Sequence, residues 1–147
     1  MELAHALHAL VGELDAAAEA VLEAEFGVTH SQLSFLMPLL GDGPLDVSSL
    51  AARNHVSTAA VSKRIEWFVE RDLVRAEHPV GDAKRVLLSL TPQGRRLALG
   101  ASSRLASRLE EVLAPWPEKR RVLLLSLITE VTAAIRSTDE SAPKERR

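Results

Sequence analysis

The stretch SSLAARNHVSTAAVSKRIEWFVERDLV, residues 48–74, decides how this chain folds. Its first part places Val47, Leu50 and Ala51 on one face of a short helix, with Ser48 or Ser49 available as the N-cap. After a break at Val56-Ser57, apolar residues return at Ala60 or Val61, Ile65, Phe68 and Val69, which predicts a second helix over 58–72. Two short helices joined by a turn of about three residues make a helix-turn-helix. The second helix has a distinctive opening: Ser57, Thr58, Ala59, Ser62, Lys63 and Arg64 are small, hydroxylated or cationic, and its first two turns hold no acid.

Immediately downstream the period changes from helical to alternating. Leu73, Val74, Ala76 and His78 precede Pro79-Val80-Gly81-Asp82-Ala83, and Val86, Leu88 and Leu90 follow, which predicts two strands around a turn. Asp82, Lys84 and Arg85 put cations at the tip of that hairpin. Thr91-Pro92 then restarts a helix, with Thr91 as N-cap and Pro92 at the first helical position. Its apolar face runs through Leu97, Ala101, Leu105, Leu109 and Val112 to about Ala114, where Pro115-Trp116-Pro117 ends it. A last helix over 118–136 carries Val122, Leu124 or Leu125, Ile128, Val131 and Ile135, and the polar segment 139–147 is expected to be a disordered tail.

Upstream, Leu3, Leu7, Leu10, Leu14 and Val21 recur at helical spacing over 3–22, opposite an acidic face expected to be solvated. Thr29 is the expected N-cap of a second helix containing Leu33, Leu36, Leu39 and Leu40, which Pro38 should kink or shorten and Gly41-Asp42-Gly43-Pro44 should end. The expected fold class is mainly α with a small β-hairpin wing. Residues 1–138 would form one domain, with a winged helix-turn-helix at about 29–91 and long helices at about 1–25 and 92–138.

Charge follows the same division. The chain of 147 residues has a formal net charge of -2, which as a single number argues mildly against a nucleic-acid partner. Residues 1–46, however, hold eight acids and no Lys or Arg, whereas residues 47–96 carry a net +4. The cations therefore concentrate on the second helix of the pair and on the hairpin tip. Small residues near the start of a helix permit close approach to the major groove, Lys and Arg reach base edges and phosphates, and a cationic hairpin can reach the adjacent backbone or minor groove. Double-stranded DNA is the partner this order of elements predicts.

Several classes are excluded by expectation. With no cysteine, thiolate nucleophiles, disulfides and Cys-based zinc sites are unavailable. GxSxG, HExxH and a phosphate-binding loop do not occur, so the chain is not expected to be an enzyme, and no cofactor is implied. The amino-terminal residues lack the basic start and unbroken apolar run of a signal peptide, and VLLLSLI (122–128) is too short to span a membrane, so a cytoplasmic location is expected. His5 and His8 share one helix face without further ligands, and no metal site is assigned to them. His30, Met37 and Trp67 read more simply as core than as lining for a ligand, so the ligand-binding residues stay unassigned. Arg53 fits a phosphate contact or a surface cation equally well, Arg71 and Arg75 suit intramolecular pairing, and Arg95 and Arg96 suit a solvated face.

The ordered combination of helix pair, cationic hairpin and long helices resembles the MarR (multiple antibiotic resistance regulator) family of winged helix-turn-helix transcription regulators. The likeness rests on SSLAARNHVSTAAVSKRIEWFVERDLV (48–74), DAKRVLLSLT (82–91) and TPQGRRL (91–97). It implies a homodimeric, ligand-responsive repressor, with Ser57, Thr58, Ala59, Ser62, Lys63 and Arg64 at the DNA and Lys63 where the family often has an arginine. In the wing it implies that Asp82 braces the contacting cation, with Lys84 at the position of the family's arginine and Arg85 as the alternative. Asp72 replaces a common glycine before Leu73-Val74. A small-molecule pocket between the dimer helices and the winged region is implied too. Independently of the family, the apolar faces at 3–22, 97–113 and 122–135 exceed what a small winged core covers, which predicts a two-fold dimer on a pseudo-palindromic operator. The rival readings are a winged-helix protein-interaction module that does not touch DNA, and a metal-responsive sensor.

Overall fold

The computed structural model describes residues 2–82 and 84–141. In chain order the elements are α1 (Glu2–Phe26), α2 (His30–Asp42), β1 (Leu45–Asp46), α3 (Val47–Arg53), α4 (Thr58–Glu70), β2 (Val74–Glu77), β3 (Leu87–Leu90), α5 (Pro92–Leu113) and α6 (Glu118–Ser141). They group into two compact units, one ending at Ala106 and one beginning at Ser107.

In the first unit Thr29 caps α2 through a reciprocal box, its hydroxyl accepting from the Gln32 N–H at 3.1 Å while its own N–H donates to the Gln32 side chain at 2.8 Å. The acids of α1 are not all simply solvated. Glu19 accepts the His30 N–H at 2.6 Å and Asp15 lies 3.3 Å from the His30 ring, because the first N–H groups of a helix lack intrahelical partners and attract carboxylates. Pro38 leaves α2 continuous from His30 to Asp42. Buried Leu33, Phe35 and Leu36 before the proline and Leu39 after it anchor the helix on both sides, and this packing outweighs one missing backbone bond.

α3 is capped by Asp46, not by Ser48 or Ser49: the Asp46 carboxylate accepts the Ser49 N–H at 2.8 Å. The turn after it is a Schellman closure, with His55 N–H on Ala52 O at 3.2 Å, Val56 N–H on Ala51 O at 3.0 Å, and His55 in the left-handed region at φ 53. Ser57 then caps α4, accepting from the Ala60 N–H at 3.1 Å. The same closure ends α4 at Glu70, where Asp72 takes φ 52 and Leu73 N–H meets Phe68 O at 2.9 Å. One hydrogen-bonding device thus sets both the angle between α3 and α4 and the exit into the hairpin.

The sheet has three antiparallel strands in the order β1-β3-β2, with Val74 opposite Leu90 and Asp46 opposite Leu87. The two strands of the hairpin match the sequence pattern. The two-residue β1 does not announce itself, since alternation needs more than Leu45-Asp46 to be visible. Leu22, Leu36, Leu50, Val61 and Leu88 are fully buried and join α1, α2, α3, α4 and the sheet in one core. Phe35 and Phe68 stack across it with centroids 4.7 Å apart, and Trp67 meets Phe68 edge-on. α5 starts as expected: the buried Thr91 accepts the Gly94 N–H at 3.0 Å and donates to the Asp72 carbonyl.

In the second unit Trp116 N–H closes on Leu113 O at 2.9 Å and Arg120 N–H on Pro117 O at 2.9 Å, so the Pro-Trp-Pro segment separates two helices as its prolines require. α6 continues past Arg136 to Ser141, and residues 142–147 of the expected tail lie outside the described residues.

Candidate nucleic-acid interface

The helix-turn-helix presents the residues singled out in the sequence on one open surface. Ser57, Thr58, Ala59, Ser62, Lys63 and Arg64 are all exposed, while Val61 and Phe68 hold the opposite face of α4 in the core. The spacing explains this separation: on a helix, residues three and four apart share a face, so Thr58, Ala59, Ser62 and Lys63 turn outward together. Among the described residues nothing pairs with the Lys63 side chain, and Glu66 is the first acid along α4, in its third turn. Arg64 donates to the Ser31 hydroxyl at 3.3 Å. That contact brings the first turn of α2 beside this exposed face of α4, an approach between residues far apart in sequence that no local pattern signals. A cleft of about 560 Å³ lies at this contact, lined by Ser31, Gln32, Lys63, Arg64 and Trp67 among others. His30 and Met37 do not line it.

The hairpin tip has its own wiring. The Asp82 carboxylate accepts the N–H groups of Lys84 at 3.2 Å and Arg85 at 3.3 Å, so the acid braces the backbone of the turn. The Arg85 guanidinium reaches Asp46 at 3.1 Å, and the His78 ring lies 3.1 Å from the Arg85 carbonyl. The Lys84 side chain is exposed and has no partner among the described residues. Asp46 holds its carboxyl below the ordinary aspartate range, chiefly because it accepts the Ser49 N–H, then through the Ser49 hydroxyl, with the Arg85 guanidinium adding to the same effect. In the sequence Asp46 stands out only as one of the eight acids of the first segment. The signal that could have found it is Asp three residues before Ser49 at the start of an apolar period.

Three further arginines of this segment are committed elsewhere. Arg53 pairs with Asp42 at 3.1 Å, Arg75 with Glu77 at 3.7 Å, and Arg71 stacks over the Trp67 ring at 4.0 Å. Among the described residues no cluster of three or more His, Cys, Asp or Glu could hold a metal ion, and the His8 ring contacts the Ala4 carbonyl at 2.8 Å. No described helix is long and apolar enough to cross a membrane. Large apolar side chains are exposed on α1 (Leu3, Leu7, Leu10, Val11, Leu14) and, separately, on α6 (Val122, Leu125, Ile128, Val131, Ile135).

No protein-family model matches the chain. Over 100 residues it is 32% identical to an HTH-type transcriptional regulator of Mycobacterium tuberculosis and equally to one of Mycobacterium bovis, covering 67% of this chain and 69% of each relative. Among solved structures, a MarR family protein from Bacillus stearothermophilus superposes with a TM-score of 0.83 at 18% identity, covering 92% of this chain and 94% of its own. The regulator NadR, solved in complex with 4-hydroxyphenylacetate, superposes at 0.67 with 21% identity, over 86% and 89% of the two chains. By sequence the chain belongs to the helix-turn-helix transcriptional regulators, and its winged fold is that of their MarR family.

Proposed function

We propose that this regulator acts in the cytoplasm as a homodimeric repressor that binds a pseudo-palindromic operator and is released by a small-molecule effector. The observation that carries the DNA reading is the opening of α4. Ser57, Thr58, Ala59, Ser62, Lys63 and Arg64 form an exposed, acid-free surface at the amino end of a helix whose other side is locked in the core. In this reading Lys63 and Arg64 serve base edges and phosphates, the hydroxyls and Ala59 allow close approach, and Asp82, Lys84 and Arg85 form the wing that meets the neighbouring backbone. The exposed apolar faces of α1 and α6 support a dimer, since runs of large apolar side chains left in water favour burial against a second copy. Two-fold symmetry then places two recognition helices on half-sites about 10 bp apart. The effector reading is supported by the fold shared with NadR, whose solved complex holds 4-hydroxyphenylacetate.

Titrating the protein against the promoter of its own gene and against a scrambled duplex, at several salt concentrations, tests this reading. The native promoter is expected to bind more tightly, with affinity falling roughly a thousandfold between 50 and 200 mM salt if about six phosphates are neutralised per dimer. Lys63→Ala should weaken it. Equal, salt-insensitive binding to both duplexes, or a stable monomer at micromolar concentration in sedimentation, would overturn it.

A further inference from the structure

We propose that the wing divides its two cations, with Lys84 making the DNA contact and Arg85 acting as a positioning residue that clamps the wing to the cap of α3 through Asp46. The proposal rests on the DNA-binding reading above and assigns roles within it.

Asp46 stands at a junction. It pairs with Leu87 in the β1–β3 register, so the chain just before α3 runs beside the strand that returns from the wing. Its Oδ1 accepts the Ser49 N–H at 2.8 Å and its Oδ2 takes the Arg85 guanidinium at 3.1 Å, so one carboxylate joins the start of the helix-turn-helix to the hairpin. Arg85 is also held along its backbone, by Asp82 on its N–H and by the His78 ring near its carbonyl. For the guanidinium to enter a groove it would have to abandon Asp46 and leave that carboxylate without its counter-charge, and while it stays paired its field at a phosphate is offset by the acid. Lys84 has neither restraint: its N–H is fixed by Asp82, while its side chain is exposed and unpaired among the described residues. An ammonium on a flexible stem suits a phosphate contact, whereas the planar fork of arginine suits the carboxylate it already holds.

The full-length protein and four variants separate the roles: Lys84→Gln, Arg85→Gln, Asp46→Ser and the Asp46→Ser/Arg85→Gln double. Serine keeps an N-cap acceptor for the Ser49 N–H but is too short to hold Arg85. Two readouts are taken, amide exchange across residues 84–88 without DNA and the salt slope of binding to a duplex that the wild type retains. Lys84→Gln should leave exchange unchanged and lower the slope by about 2 per dimer, one contact from each protomer. Arg85→Gln and Asp46→Ser should each speed exchange several-fold, the double variant no further than either single one, with the salt slope kept. Exchange unmoved by Asp46→Ser, a slope loss for Arg85→Gln equal to that for Lys84→Gln, or tighter binding by Asp46→Ser would each overturn the division. A wild type that retains no duplex at any salt sinks the DNA reading and the Lys84 role with it, whereas the exchange arm judges the clamp independently of DNA.

Discussion

Gly94 lies so close to Leu73 that a Cβ added to it would sit 1.9 Å from the Leu73 carbonyl oxygen. The same carbonyl accepts the Thr91 N–H at 3.1 Å, and the Leu73 N–H closes α4 on Phe68. The start of α5 is thereby pressed against the end of α4. Gly94→Ala must push backbone against backbone, and it should destabilise the protein by about 3 kcal/mol or more, at the upper end of what overpacking costs. Urea unfolding of the variant checks this; a midpoint equal to that of the wild type would show that the two helices can separate freely.

Thr91 serves both sides of that junction, accepting from the Gly94 N–H and donating to the Asp72 carbonyl while almost fully buried. Thr91→Val keeps the shape and removes both bonds, with an expected loss of roughly 2 kcal/mol; Thr91→Ser should recover most of it. Thermal unfolding of the two variants side by side is the measurement.

Asp72, at φ 52, occupies a backbone region that β-branched residues strongly avoid. Asp72→Val should cost about 1–2 kcal/mol, and Asp72→Gly should be neutral or stabilising. The opposite order in chemical denaturation would place the strain elsewhere.

Phe35 and Phe68 stack nearly parallel, with 6° between their planes, and tie α2 to α4. Phe68→Ala should lose about 3–5 kcal/mol by opening a cavity, and Phe68→Leu considerably less. Equal losses would show that the site collapses around either residue.

The Asp46 clamp should depend on pH in one direction only. Its carboxyl titrates below the ordinary value of 3.8, so its stabilising bonds are fully present above that value and are lost as pH falls through the lower folded value. Wing protection, corrected for intrinsic exchange, should be flat from about pH 5 to 8 and drop only in stronger acid. Asp46→Ser should lessen that acid-dependent drop, leaving the part carried by the Asp82 carboxylate. A drop near pH 6 to 7 would show that the Asp46 carboxylate does not govern the clamp.

Much of this was legible from local chemistry. The change from helical to alternating period at Leu73 and the Thr-Pro restart at Thr91 are each written in neighbouring residues and reappear in the fold. The residues of the α4 opening were legible for the same reason, since a helical period alone sends Thr58, Ser62 and Lys63 to the side opposite Val61 and Phe68. Pro38 leaves α2 unbroken because the bond it deletes is local, whereas packing on the helix comes from Phe68 and other residues distant in the chain. The cap of α3 was displaced to Asp46 because serines and aspartate at neighbouring positions are chemically equivalent candidates until the strand before the helix is set.

The sequence alone determined the order of the elements, the segregation of acids from cations and the face on which the recognition helix is polar, all of which follow from periodicity and side-chain chemistry within a few turns. Only the tertiary structure decided which cations are free. Lys63 and Lys84 remain unpaired among the described residues, while Arg53, Arg64, Arg71, Arg75 and Arg85 are drawn to Asp42, Ser31, Trp67, Glu77 and Asp46. An ion pair or hydrogen bond requires atoms within about 4 Å, and for Arg85 and Arg64 that proximity comes from a strand register and a helix crossing spanning more than thirty residues of chain.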